Sequence, residues 1–93
     1  MIRVIIERHI ADDLEEHYEQ AARSTLAQAM QAHGFVSGES LRNAFDHNHR
    51  IVLANYRSVQ DWQRWYSSSE RQTMMATISP MLQREEKITV LEQ

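Results

Sequence analysis

The stretch from His33 to Arg71, HGFVSGESLRNAFDHNHRIVLANYRSVQDWQRWYSSSER, constrains the fold more than any other part of the chain. Phe35 to Phe45 reads as a long strand without clean alternation, and Gly38 inside it signals a bulge or a close backbone approach. Asp46-His47-Asn48-His49 is turn-forming chemistry. Arg50 to Arg57 reads as the next strand. Ile51, Leu53 and Asn55 share one of its faces, and Val52, Ala54 and Tyr56 the other. Ser58 then caps a short helix, with Asp61 at the third position after it. Val59, Trp62 and Tyr66 form the inner stripe of that helix, Trp65 lies at its edge, and the serines at 67–69 break it. A hairpin joined directly to a helix needs further strands to complete a sheet, because an isolated hairpin is marginal in water.

The flanking segments supply them. Residues 2–10 alternate as a strand, with Ile2, Val4 and Ile6 on an apolar face and Arg3, Ile5, Glu7 and His9 on a mixed one. A helix is expected from Asp12 to His33, with Asp12 as cap, Glu15 three residues later, and an apolar stripe from Leu14 through Tyr18, Ala22, Leu26 and Ala29 to Met30 and His33. Gly34 provides its left-handed stop. A second helical piece begins near Glu70, Pro80 ends or kinks it, and Lys87 to Glu92 closes the chain as a strand. The order β-α-β-β-α-(α)-β describes an α+β, ferredoxin-like fold: a four-stranded antiparallel sheet with helices on one face. The expectation is that Ile2, Val4 and Ile6 lie on the uncovered face, where a symmetric partner would hide them.

Composition narrows the function classes. The 93 residues read as one domain, with no cysteine to form disulfides or thiolate metal sites. A net charge of −3 without a Lys/Arg stripe argues against nucleic acid as a partner. No run approaches the roughly 18 apolar residues of a membrane span. The opening MIRVIIERHIADD is too short in apolar residues for a signal peptide, so a cytoplasmic location is the default.

The chain resembles the antibiotic biosynthesis monooxygenase (ABM) domain. The resemblance is carried by Gly34-Phe35-Val36-Ser37-Gly38-Glu39, the apolar Ile51-Val52-Leu53, the Trp62-x-x-Trp65-x-x-Ser68 pattern, and Ile78-Ser79-Pro80-Met81-Leu82. It implies a homodimeric α+β barrel with a pocket between sheet and helices in each subunit. It also implies oxidation of a small aromatic or quinol-like substrate by O₂ without metal or flavin. A haem-degrading branch uses an Asn on the first strand, a Trp after the third, and a His about ten residues beyond that Trp. Trp65 meets this pattern, but Glu7 stands at the Asn position and Met75 at the His position. No histidine follows His49, so the ligand a haem iron requires is missing.

The candidate site residues follow from the residue types. Glu7 is read as a pocket carboxylate able to take a phenolic proton, against the alternative of an ion pair with Arg3, Arg42 or Arg57. His9 is a second candidate base. Trp65, and after it Trp62, would stack on a flat ligand, with packing in the core as the alternative for each. Asn55, Tyr56 and Arg42 would orient an oxygenated substrate, or else bond at strand ends and at a dimer interface. Met75 joins the methionines as adaptable apolar lining. His47 and His49 share a strand face, but no spacing selects a third metal ligand among His9, His17 and His33, and no metal or cofactor is expected. The competing functional reading is a domain that binds a small aromatic ligand without turning it over.

Overall fold

The computed structural model describes all residues from Met1 to Gln93. Its elements are β1 (Ile2–His9), α1 (Glu15–Ala29), β2 (Phe35–Asn43), β3 (Asp46–Tyr56), α2 (Val59–Tyr66), α3 (Ser69–Ile78), a 3₁₀ turn (Ser79–Met81) and β4 (Lys87–Glu92). The four strands are antiparallel in the order β2-β3-β1-β4. This is the ferredoxin-like arrangement the sequence pattern predicts.

The assignment of the two sheet faces is reversed. Ile2, Val4 and Ile6 are buried and cluster with Ala29, Ala54, Tyr56, Trp62 and Trp65, so they lie beneath the helices. The uncovered face instead carries Arg3, Ile5, Glu7 and His9 of β1, which pair in register with Asn55, Leu53, Ile51 and His49 of β3. Alternation along a strand shows which residues share a face but not which face meets the helices. Burial decides that, and the uniformly apolar face releases more water when covered.

Three local boundaries also shift. Helix α1 starts at Glu15 without a side-chain cap. Asp13 takes a left-handed φ of 67°, and the Asp12 carboxylate accepts a 2.8 Å hydrogen bond from Asn48 Nδ2 in place of capping. The helix ends at Ala29, and Met30 and His33 are exposed instead of extending its buried stripe. Gly34 does adopt the expected left-handed conformation, with φ 84°. The hairpin turns at Ala44 and Phe45, not at Asp46–His49. The Asn43 and Asp46 side chains accept from the backbone N–H groups of Phe45 and Asn48. The polar cluster therefore flanks the turn, while β3 runs on past it to pair with β1 as far as His9 and His49.

Other local signals are met. Ser58 accepts from the Asp61 N–H at 3.1 Å at the start of α2. Ser67 ends α2, and Ser68 caps α3 by accepting from the Arg71 N–H at 3.2 Å. At Gly38 a Cβ would stand 2.9 Å from the Phe35 ring, the close approach that a glycine inside a strand implies. The ladder irregularity itself falls between Phe35 and Ser37. Ile10, Tyr18, Ala22 and Ile78 form a second buried cluster, where α1 meets α3. No helix is long and apolar enough to cross a membrane.

Candidate functional site

A cavity of about 30 Å³ lies between the sheet and the three helices. That is room for one or two waters. Small residues open it: Ala22, Thr25 and Ala29 on α1, with Ser40 and Ala54 on the sheet beneath. Aromatic rings wall it. Tyr56 meets Phe35 edge-on at 5.5 Å and Trp62 at 5.4 Å, and Trp65 closes the side toward α2. Both tryptophans come from one helix turn, three residues apart, so both point to the sheet. Trp62 and Trp65 are therefore core and cavity wall at once.

A buried polar network forms the other wall. Arg71 ion-pairs with Glu86 Oε1, and its guanidinium lies 4.8 Å from the centre of the Tyr66 ring. Glu86 Oε2 also accepts from Arg8 Nε at 2.9 Å. Arg8 donates in turn to the Tyr18 hydroxyl at 3.1 Å and to the Met75 sulfur at 3.7 Å. Burial alone would raise the Glu86 carboxyl. The hydrogen bond from Arg71 and the charges of Arg8 and Arg71 outweigh it and hold that carboxyl below its usual range. Burial would likewise lower Arg8, and Tyr18 and Glu86 hold it above its ordinary value. Burial pushes the Tyr56 hydroxyl up to about 12, against the charge of Arg71. At neutral pH the cavity thus presents a neutral phenol, two fixed cations in Arg8 and Arg71, and two indole walls.

The predicted residues divide between the two sides of the sheet. Tyr56, Trp62 and Trp65 line the cavity. Arg42 lines an adjoining cleft beside α1. Met75 contacts Arg8 outside the cavity wall, packed against the Tyr18 and Ile78 cluster. Glu7, His9 and Asn55 are on the opposite face, so the reading of Glu7 as a pocket carboxylate is corrected by strand parity. Glu7 pairs with His49 at 3.3 Å, and the His9 and His49 rings stack at 4.6 Å. Asn55 donates to the Ser37 hydroxyl at 2.9 Å. Burial, then Arg84 and His49, lower the His9 imidazole, against smaller opposing effects of Asp46 and Glu7.

No three His, Asp or Glu side chains converge as a metal site; His47 and His17 are exposed, and the nearest acid to His33 is Asp61 at 3.9 Å. Haem does not fit the cavity's donor set, which lacks an imidazole and leaves the Met75 sulfur beside Arg8. The sequence reading missed Arg8, Arg71 and Glu86. The signal for Arg8 was present, since it continues the Ile2-Val4-Ile6 parity by one step. Glu86 sits in an irregular segment and had no pattern to mark it.

A helix-covered antiparallel sheet with an aromatic cavity beneath the helices defines a small α+β domain of the ferredoxin-like class. The more particular assignment comes from sequence: the family model described as Antibiotic biosynthesis monooxygenase matches residues 1–77, and the chain belongs to that family. The fold agrees with solved structures. A protein of Nitrosomonas europaea assigned to antibiotic biosynthesis monooxygenases superposes with a TM-score of 0.91 at 17% identity, covering 100% of this chain and 98% of that one. SnoaB, a cofactor-independent oxygenase from Streptomyces nogalater, does so with 0.88 at 12% identity, over 99% and 91%. A Deinococcus radiodurans protein with the same assignment gives 0.91 at 11% identity, over 100% and 92%. No curated protein matches the chain in sequence.

Proposed function

We propose that this chain is a cytoplasmic, homodimeric monooxygenase that oxidises a small electron-rich aromatic or quinol-like substrate with O₂, without metal or flavin. The observation that carries the reading is the cavity in which Tyr56, Trp62 and Trp65 surround a space bordered by Arg71. Family membership and the resemblance in fold to a cofactor-independent oxygenase support it.

The chemistry is substrate-assisted. The cavity at rest holds only one or two waters, so a flat substrate enters by parting the helices from the sheet. The rings then clamp it and exclude water, and the Arg71 guanidinium favours its phenolate or enolate form. No carboxylate lines the cavity, and Glu86, beside its wall, is held by two arginines and is not free to act as a base. The proton therefore leaves to solvent as the substrate ionises. The anion gives one electron to O₂, and the resulting pair recombines with a new C–O bond at the reacting carbon. Cleavage of the O–O bond then leaves a carbonyl and releases the second oxygen as water, whose two hydrogens balance the proton lost on ionisation and the hydrogen lost from the reacting carbon. No external reductant is consumed.

The second reading, binding without turnover, is favoured by the absence of any free carboxylate or imidazole in the cavity wall. Oxygen uptake with a panel of hydroquinones and anthrones separates the two. Uptake equal to product formed, and lost on Arg71→Met, is the expected result. Tight binding of the same compounds with uptake at background would leave the binding reading standing instead.

The dimer is proposed to form through the uncovered sheet face. Ile5, Ile51 and Leu53 form its aliphatic centre, and Leu41 and Leu91 are 43% and 46% exposed beside them. A second copy is the partner whose matching face would cover them. The absence of cysteine fits a cytoplasmic setting. Sedimentation at micromolar concentration should give twice the 11.0 kDa chain mass, and a stable monomer would contradict this arrangement.

A further inference from the structure

Three arginines stand side by side across three strands. Arg8 of β1 is in register with Arg50 of β3, and Arg50 is in register with Arg42 of β2. All three share the parity of the helix-covered face. Like charges directly opposite one another repel, so such a row persists only where something answers each charge. Glu86 answers Arg8. Glu19 answers Arg50 through Nη1 at 3.1 Å, and Arg50 Nε donates to the His47 carbonyl. Arg50 is only 4% exposed, yet its Nη2 is buried without a hydrogen-bond partner. Unmet buried donors of this kind are rare and call for an explanation.

The explanation lies in the cleft of about 280 Å³ between α1 and β2, which Arg50 lines together with Arg42, Arg23, Ser40 and Glu19. Three guanidinium groups there face one carboxylate, and that carboxylate is already engaged. Ala22, Leu26 and Ser40 line both this cleft and the aromatic cavity, so the two spaces are neighbours across one thin wall.

We propose that this cleft is an anion-binding subsite, and that the substrate is an aromatic acid. Its ring reaches toward Trp62 and Trp65 by parting the shared wall of Ala22, Leu26 and Ser40, since the cavity at rest holds only one or two waters. Its carboxylate meets Arg42 and the Arg50 guanidinium. A guanidinium pair matches a planar carboxylate in two-point geometry, and the Ser40 hydroxyl supplies a third donor. The ring half of this proposal rests on the function proposed above, but the anion half does not, because the arginine row is independent of any turnover.

The test measures binding to the full chain by calorimetry with three probes: 1-naphthoate, the uncharged 1-naphthamide, and inorganic phosphate. Naphthoate should bind at least tenfold tighter than naphthamide, and raising the salt should narrow the difference. Arg42→Gln, at an exposed position that the fold does not need, should remove most of that advantage and leave naphthamide unchanged. Arg57→Gln, the same charge change on an exposed residue elsewhere, should have no effect. Arg50→Gln should remove the advantage fully, and circular dichroism reports whether that variant stays folded. Phosphate binding that is lost in Arg42→Gln, with naphthoate no tighter than phosphate, would keep the anion subsite but overturn the aromatic acid and the aromatic cavity reading with it. Equal affinity for naphthoate and naphthamide would overturn the subsite and leave the aromatic cavity intact. An undiminished naphthoate advantage in Arg42→Gln and Arg50→Gln would overturn it as well.

Discussion

Replacing Glu86 by Gln isolates the polar network that borders the cavity. The Glu86 side chain is 12% exposed and is the shared partner of Arg8 and Arg71, whose own side chains are 3% and 8% exposed. Gln keeps the shape but removes the charge, so two buried guanidinium groups lose their counter-ion. Breaking a buried ion pair from one side costs roughly 3–5 kcal/mol. The amide oxygen still accepts one hydrogen bond, which places the expected loss near the lower end, about 3 kcal/mol. For a chain of this size that lowers Tm by about 12–24 °C. Urea unfolding followed through the fluorescence of the buried Trp62 and Trp65 measures it, at one fixed protein concentration because a dimer's stability depends on mass action. The pH dependence supplies a second, independent check. The folded-state pKa of Glu86 is depressed, so its stabilisation is fully present above the unfolded value of about 4.5 and is lost as pH falls through the folded value. The gap between the native chain and Glu86→Gln should therefore be constant from pH 6 to 8 and shrink in acid. A loss below about 0.5 kcal/mol at pH 7 would place Glu86 among ordinary surface pairs and refute the argument.

Three other outcomes follow from local geometry. Gly34→Ala places a side chain at φ 84° and against the Asp61 carboxylate, and it should cost about 2 kcal/mol or more in urea unfolding. Tyr56 should ionise only at about pH 12 in an ultraviolet titration, and loss of its signal in Tyr56→Phe assigns it; a transition near 10 would contradict its burial against Trp62. The His9 imidazole should titrate by NMR below its ordinary 6.5. Its folded-state pKa lies below the unfolded one, so folding binds fewer protons and the stability tied to His9 is lost as pH falls below about 6.5. Arg84→Gln should raise the His9 midpoint, and an unmoved midpoint would remove Arg84 as a cause.

The order of elements was legible because each boundary carried its own chemistry. Ser58 and Ser68 cap helices, Gly34 turns the chain left-handed, and the serines between the tryptophans and Glu70 separate α2 from α3. The face assignment was not legible, because period-2 alternation has no absolute sign. Choosing the wrong sign moved Glu7 and His9 toward the cavity and left Arg8 out of it. The reversal is a property of the sheet as a whole, so one error displaced Glu7, His9 and Asn55 together. Trp62 and Trp65 escaped it because a helix stripe can point only at whatever it packs on. Asp12 failed as a cap for another reason: Asn48, a residue 36 positions away, offers its carboxylate a better partner than the helix terminus does.

The corrected faces give the covered side of the sheet a direction. Along β1 it runs Ile2, Val4, Ile6, Arg8, and along β3 in register it runs Tyr56, Ala54, Val52, Arg50. Along β2 it continues Gly38, Ser40, Arg42. Two strands thus change from apolar to cationic, and the third from small residues to cationic, at the same end, beneath the same helix. A ligand entering this space is oriented before any specific contact forms, with its apolar part toward the tryptophans and any negative charge toward the arginines. The same polarity acts on the reaction proposed above. An aromatic substrate that loses its proton between Tyr56 and Arg71 does so with fixed positive charge already in place, so little of the surrounding protein must reorganise as the anion forms. Placing a base inside this space would weaken that effect, because a carboxylate there would pair with an arginine, as Glu86 and Glu19 already do. A cavity wall without a free base is therefore what this charge arrangement requires if the substrate supplies its own electrons.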